Sequence, residues 1–95
     1  MKSFKIRLTP EAVRFIAKLH PENRKTIRQA LDEIRQNFSS GYDLQEELSG
    51  FKSFRAKRYR IIYKVDEPRH SIDVYLVGHR RDVYEQLGIL LRKLT

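Results

Sequence analysis

The sequence predicts an α+β fold in which an antiparallel sheet packs on a helical hairpin, and three observations carry that prediction. Apolar and polar residues alternate near the start and again in the second half, the period of half-buried strands. Between those runs the apolar spacing changes to the three-and-four of amphipathic helices. Turn-forming residues sit where the period changes. The resulting order is β-α-α-β-β-β-α over residues 1–95, a single domain, because 95 residues suffice for one modest core and not for two.

Each element has its own signal. Phe4, Ile6 and Leu8 alternate with Lys5 and Arg7 as a short strand. Thr9, Pro10 and Glu11 then supply an N-cap, a first-turn proline and an acid at the positive end of the helix dipole. Val13, Ile16 and Ala17 form the expected apolar face of this helix. Pro21 opens a second helix, with Ile27, Ala30, Leu31, Ile34 and Phe38 as its stripe and Arg24, Lys25, Arg28, Asp32 and Arg35 as its solvated face. Ser39-Ser40-Gly41 ends it. Residues 39–50 read as a loop anchored by Leu44 and Leu48. Phe54 and Ala56 share one strand face, and YRIIYKV (59–65) has the aromatic and β-branched content of a central strand. Residues 66–70 form a turn, and Ile72, Val74 and Leu76 alternate in a last strand ending at Gly78. Asp82 caps a final helix whose stripe is Val83, Leu87, Leu90, Leu91 and Leu94. All three helices are expected on one face of the sheet.

Composition narrows the function. Hydrophobic residues at 40% and charged residues at 34% describe a globular chain rather than a disordered one. No apolar run approaches the roughly 20 residues of a membrane span, and the opening MKSFKIRLTPEA lacks the apolar core of a signal peptide. With no cysteine, neither a disulfide framework nor a thiolate zinc site is expected. A cytoplasmic setting with no membrane partner follows as the expectation. The formal net charge of +8 favours an anionic partner. Residues 1–50 hold 9 Lys and Arg against 7 Asp and Glu, whereas residues 51–95 hold 11 against 5, so the excess lies in the second half.

That excess is concentrated in KSFRAKRYR (52–60), with Lys52, Arg55, Lys57, Arg58 and Arg60 and no acid. Pairing across a 66–70 turn places Arg60 opposite about Leu76, and a turn at Lys57-Arg58 places it opposite about Arg55. Arg55, Arg60 and Arg80 then gather at one end of the sheet, with His79 nearby. Guanidinium forks suit phosphate oxygens, although basic residues also guard strand edges. Tyr84 is a candidate for proton transfer or base stacking. No glycine-rich phosphate loop, carboxylate dyad or metal cluster is evident, so no metal or cofactor is expected.

The run Leu48-Ser49-Gly50, the strand Phe54 to Tyr63 with its YR-x-x-Y pattern, and Val77-Gly78-His79-Arg80-Arg81-Asp82-Val83-Tyr84 together resemble the RelE/ParE toxin superfamily. The resemblance is strongest to the RelE branch, the ribosome-associated messenger-RNA-cleaving toxins of bacterial and archaeal toxin–antitoxin pairs. It implies an endoribonuclease that cuts messenger RNA in the ribosomal A site through the RNA's own 2′-hydroxyl, without a metal. By position, Arg60 matches the arginine that braces the scissile phosphate, Arg80 the arginine after the last strand, and Tyr84 the tyrosine that follows. Lys52 falls near the family's catalytic lysines, but Ser53 and Phe54 follow it where the family carries a lysine pair. Lys57-Arg58 replace the usual Gly-Asp turn. The implied catalytic set is Arg60, Arg80, Tyr84, Lys52 and His79, with Arg55, Lys57, Arg58 and Arg81 holding RNA. The implied partners are mRNA, the ribosome and an acidic antitoxin, the last in a possible heterotetramer. The alternative within the superfamily is a ParE-type inhibitor of DNA gyrase that does not cleave RNA.

Overall fold

The computed structural model describes residues 4–94, with side chains through Lys93. Residues 1–3 and 95 of the expected domain, and the Leu94 side chain of the expected stripe, lie outside what is described. The elements follow the predicted order: β1 (Lys5–Leu8), α1 (Pro10–Ala17), α2 (Pro21–Gln36), β2 (Tyr42–Asp43), a 3₁₀ turn at Glu46–Leu48, β3 (Lys52–Ala56), β4 (Tyr59–Asp66), β5 (Ser71–His79) and α3 (Val83–Leu94). The two-residue β2 and the 3₁₀ turn break up the predicted loop. Leu44 and Leu48 do anchor it, against Phe51, Ile62 and Leu76.

The sheet order is β1-β5-β4-β3-β2. The β5–β4 and β4–β3 pairings are antiparallel, as expected, and so is the short β3–β2 edge, but β1 lies parallel to β5, with Lys5 beside Ser71 and Leu8 beside Val74. The sheet is therefore mixed. A parallel neighbour needs a long crossover, and the helices and strands between β1 and β5 supply one that alternation in the sequence does not reveal.

Both faces of the sheet are covered. The α1–α2 hairpin buries Ile61, Tyr63, Ile72, Val74 and Val77 with Ala12, Ile27 and Ile34. On the other face α3 buries Ile62 and Leu76 with Val83 and Leu87. The expectation that all helices share one face is thus corrected for α3. The cause is visible in β4, where adjacent residues Ile61, Ile62 and Tyr63 are all fully buried, which requires apolar cover on both sides. In α1 the buried face is Ala12, with Phe15, Ile16 and Leu19 packed beside it, not Val13, which is 48% exposed, nor Ala17. Both sets have helical spacing and share Ile16, and the one carrying more apolar bulk turned inward.

The register also differs from the simple hairpin. Arg60 pairs with Gly78 and Ile62 with Leu76, then Tyr63 pairs with Val74. Tyr75 is the extra residue of a β-bulge. Thr9, which caps α1 by accepting from the Ala12 N–H at 3.2 Å, holds the bulge: its hydroxyl donates to the Tyr75 carbonyl at 2.5 Å and its N–H to the Val74 carbonyl at 3.1 Å. The bulge puts Tyr75 and Leu76 both with the α3 cluster and returns Val77 to the hairpin side.

Tyr63, a fully buried residue of the hairpin core, carries a hydroxyl that is satisfied from both sides. It donates to the Phe38 carbonyl at 2.8 Å and accepts from the Gly41 N–H at 3.1 Å. A Cβ at Gly41 would come within 2.5 Å of that hydroxyl, so the close approach requires glycine there. Burial pushes the Tyr63 hydroxyl above its ordinary value of 10.0; the Gly41 N–H pulls the other way and the Asp43 charge adds to the rise. Tyr63→Phe leaves both backbone groups without their partner and is expected to cost about 1–3 kcal/mol in denaturant unfolding. Because the folded value is raised, the unfolded tyrosine ionises first, so this residue's share of stability is present below the unfolded value and is lost as pH climbs toward the folded one. Stability curves taken above about pH 10 should therefore fall more steeply for the native chain than for Tyr63→Phe.

Candidate nucleic-acid interface

The β3–β4 hairpin turns at Lys57-Arg58, with Lys57 in the left-handed region at φ 56°. This tight turn makes Arg55 and Arg60 direct partners across the two strands, about 5 Å apart between Cα atoms. Strand parity puts Arg55 on the face of Ser53, and Arg60 on the face of Ile62, which is the α3 face. Ser53 and Ile62 share one row with Leu76; Arg55 and Arg60 form the next row, about 7 Å further along, which α3 covers only at Gly78, against Val83 and Gln86. Arg60 is half-buried and donates from Nη1 to the Tyr59 carbonyl at 3.2 Å. Arg55 is exposed.

Tyr84, in the first turn of α3, belongs to the same face. Its ring packs beside the α3 cluster, and its hydroxyl lies 3.0 Å from the Ser53 Oγ, either oxygen being able to donate. Ser53 is only 2% exposed, so this contact fixes the phenol one row from the arginine pair. Arg80 follows β5 directly, its N–H donating to the Arg58 carbonyl at 3.3 Å, which ties the post-strand arginine to the hairpin turn. The Asp82 carbonyl accepts from the Gln86 N–H at 3.0 Å, which makes Asp82 the residue from which α3 starts. Lys57, Arg80 and Arg81 are exposed at this end of the sheet.

Two of the expected catalytic residues stand elsewhere. Lys52 shares the parity of Phe54 and Ala56, the hairpin face, and its ammonium is bound to the Asp43 carboxylate at 2.7 Å. His79, paired with Tyr59, also turns to the hairpin side, with ring centroids 5.2 Å from Tyr59 and 5.9 Å from Phe15. Arg58 leans the same way, its guanidinium 5.6 Å from the Tyr59 ring centre. The structure thus brings together Arg55, Arg60 and Tyr84, with Arg80 on the rim, and separates Lys52 and His79 from them. Ser53 was missed in the sequence. Its parity with Arg55 was legible, but its use depends on where α3 docks.

No carboxylate among the described residues comes within ion-pair distance of Arg55, Arg58, Arg60, Arg80 or Arg81. Like charges held side by side in this way repel unless an anion lies between them. Arg55 and Arg60 offer two planar forks of N–H donors, a match to non-bridging phosphate oxygens, with one donor taken by the Tyr59 carbonyl. Among the described residues there is no group of three His, Asp or Glu placed to hold a metal ion, and no helix is long and apolar enough to cross a membrane.

Comparison with known proteins places this geometry in context. The profile of the family described as ParE toxin of type II toxin–antitoxin system, parDE, matches residues 6–84. Toxin RelG of Mycobacterium tuberculosis is 29% identical over 85 residues, covering 87% of this chain and 98% of RelG. The toxin–antitoxin complex RelBE2 of the same organism contains a chain with TM-score 0.73 and 27% identity, the match covering 83% of this chain and all of that one. A free variant of Escherichia coli toxin RelE gives TM-score 0.76 over 99% of this chain and all of RelE, at 16% identity, a likeness of fold.

The geometry makes a prediction about polyanion binding. For a fully 2′-O-methylated single-stranded RNA, Arg55→Ala and Arg60→Ala should each reduce the salt slope of log affinity by about 0.7, the loss of one phosphate contact. Lys52→Ala should leave the slope unchanged, since Asp43 already neutralises that ammonium. Anisotropy titrations across a salt series read both, and equal slopes for all three variants would remove the arginine pair from the interface.

Proposed function

The chain belongs to the ParE toxin family of type II toxin–antitoxin systems, within the RelE/ParE superfamily, and from that premise we infer that it is an endoribonuclease that cleaves messenger RNA. The observation that carries this reading is the unneutralised Arg55–Arg60 pair with the Tyr84 phenol fixed one row away. In-line attack by a ribose 2′-hydroxyl on the adjacent phosphorus passes through a phosphorane with extra negative charge on its non-bridging oxygens. The attack releases the 5′-oxygen of the next nucleotide and leaves a 2′,3′-cyclic phosphate. Arg60, held by the Tyr59 carbonyl, and Arg55 beside it would stabilise that charge as preorganised donors. Tyr84, whose hydroxyl is held by Ser53 one row from the arginine pair, would exchange a proton with the 2′-hydroxyl or the leaving oxygen. Arg80 would stabilise the leaving group, and Lys57, Arg58 and Arg81 would hold flanking backbone. Lys52 and His79, on the far face, take no part in this arrangement.

RNA presented in the ribosomal A site is the substrate that the resemblance to RelE-type toxins suggests. An acidic antitoxin is the proposed protein partner, supported by the solved RelBE2 complex and by the surplus of positive charge. The ParE description of the matching family favours a second reading, inhibition of DNA gyrase without RNA cleavage. The two readings differ in what they need from Arg60, Arg80 and Tyr84.

In a reconstituted translation system, Arg60→Ala and Arg80→Ala should each lower the rate of mRNA cleavage by about 10²–10³ while circular dichroism shows the native fold. Tyr84→Phe should reduce cleavage and flatten its pH dependence. A gyrase supercoiling assay run in parallel decides the rival. Inhibition of supercoiling by a chain that leaves mRNA 5′ ends unchanged would replace the nuclease reading with the second one.

A further inference from the structure

The first half of the chain carries little net charge, yet α2 distributes its charges unevenly. At about 100° per residue, Arg24, Lys25, Arg28 and Arg35 fall within one sector of about 100° of the helix surface, and Glu22 and Glu33 fall on the opposite flank. Glu33 faces β3, where it lines a shallow depression with Thr26, Phe54, Arg55 and Lys57. The basic sector therefore points away from the arginine pair and is a separate surface. Asp32 is the one acid within it, and its carboxylate is taken by Arg35 at 3.1 Å. Arg24, Lys25 and Arg28 line a second depression with Pro21, Gln29 and Asp32. None of these three cations lies within ion-pair distance of a carboxylate among the described residues.

Like charges at i and i+4, here Arg24 and Arg28, destabilise a helix by a few tenths of a kcal/mol. An amphipathic helix needing only solubility would intersperse the signs, and α2 instead sorts them. From Arg24 to Arg35 the basic sector runs about 16 Å along the axis.

We propose that this α2 sector, centred on Arg24, Lys25 and Arg28, is a second nucleic-acid surface that binds the phosphate backbone of a base-paired RNA segment. Two absences select that ligand. Protein interfaces need an apolar centre inside their polar rim, and the large exposed hydrophobic residues among those described, Leu8, Val13, Tyr42 and Ile89, all lie outside α2. Single strands are held by stacking their bases on aromatic rings, and the sector carries no ring. A duplex is recognised through its shape and its rows of phosphates, which unpaired cations set along one side of a rigid helix can contact. The proposal stands on α2 alone and reaches beyond the cleavage reading: the arginine pair on the α3 face takes the strand to be cut, and α2 grips a folded RNA on the opposite side of the molecule.

The test is anisotropy binding of a 16-base-pair RNA duplex and of a 2′-O-methylated single strand across a salt series. Arg24→Gln/Lys25→Gln/Arg28→Gln should lower the duplex salt slope by about 2–3, at about 0.9 per lost contact, and weaken duplex binding at least tenfold. Single-strand binding and cleavage of a single-stranded substrate should be unchanged. If removing half-buried Arg24 impairs folding, Lys25→Gln/Arg28→Gln, both exposed, should lower the slope by about 2. Unaltered duplex binding by the folded variants overturns the proposal, as does an equal loss for duplex and single strand. Poly-glutamate binding as tightly as the duplex, with the same dependence on these cations, would instead assign the sector to an acidic protein. A chain that cleaves no RNA yet binds the duplex through α2 would refute the nuclease reading and leave this one standing.

Discussion

Burial of β4 on both faces is the constraint from which the rest of the architecture follows. Ile61, Ile62 and Tyr63 are adjacent and fully excluded from water, so the strand must have apolar cover above and below. The α1–α2 hairpin supplies one side and α3 the other. Charged side chains of β4 are displaced to its ends. Lys64 lays its ammonium 4.7 Å from the centre of the Phe51 ring, and Arg60 lies half-buried near the other end of the strand. The single polar atom that the hairpin core accepts from Tyr63 is fully used, by Phe38 and Gly41, and this joins the end of α2 to the middle of the sheet.

The position of the arginine pair is thus a by-product of packing. The first turn of α3 covers the Arg55–Arg60 row only at its β5 end, where Gly78 lies against Val83 and Gln86, and it leaves Arg55 at the other end exposed. Tyr84 is the residue at that boundary: its ring belongs to the core and its hydroxyl to Ser53. A phenol held in this way cannot swing freely toward solvent, and the ordering entropy for placing it near a phosphate is already spent in folding. Lys52 illustrates the opposite case. It is close in sequence to the cluster, but one step of strand parity and the Asp43 carboxylate take it to the other face.

Charge is organised at a coarser level as well. The arginine cluster and the basic sector of α2 stand on opposite sides of the sheet, and Glu33 lies between α2's cations and β3. The formal surplus of +8 is therefore two local surfaces, each with its own geometry. A small chain with cationic surfaces on two sides is suited to sit between two segments of polyanion.

The sequence by itself determined the order of elements, the Thr9 cap, the anchoring by Leu44 and Leu48, and the pairing of Arg55 with Arg60 across a Lys57-Arg58 turn. Each of these rests on contacts between residues close along the chain, where period, parity and turn chemistry leave few choices. Tertiary structure decided the rest. It placed β1 parallel to β5 and rotated α1 to turn Phe15 inward in place of Val13. It inserted the Tyr75 bulge, held by Thr9 from 66 residues away, which shifted the partner of Arg60 by one residue; the turn, closing with Asp66 opposite Ser71, shifted it by another, so that Arg60 meets Gly78 in place of Leu76. It also set α3 on the face opposite the hairpin, bringing Tyr84 to Ser53 and leaving His79 with Phe15 and Tyr59. Alternation within a strand states which residues share a face. Which face meets which helix is settled only when distant segments compete to cover the same apolar surface.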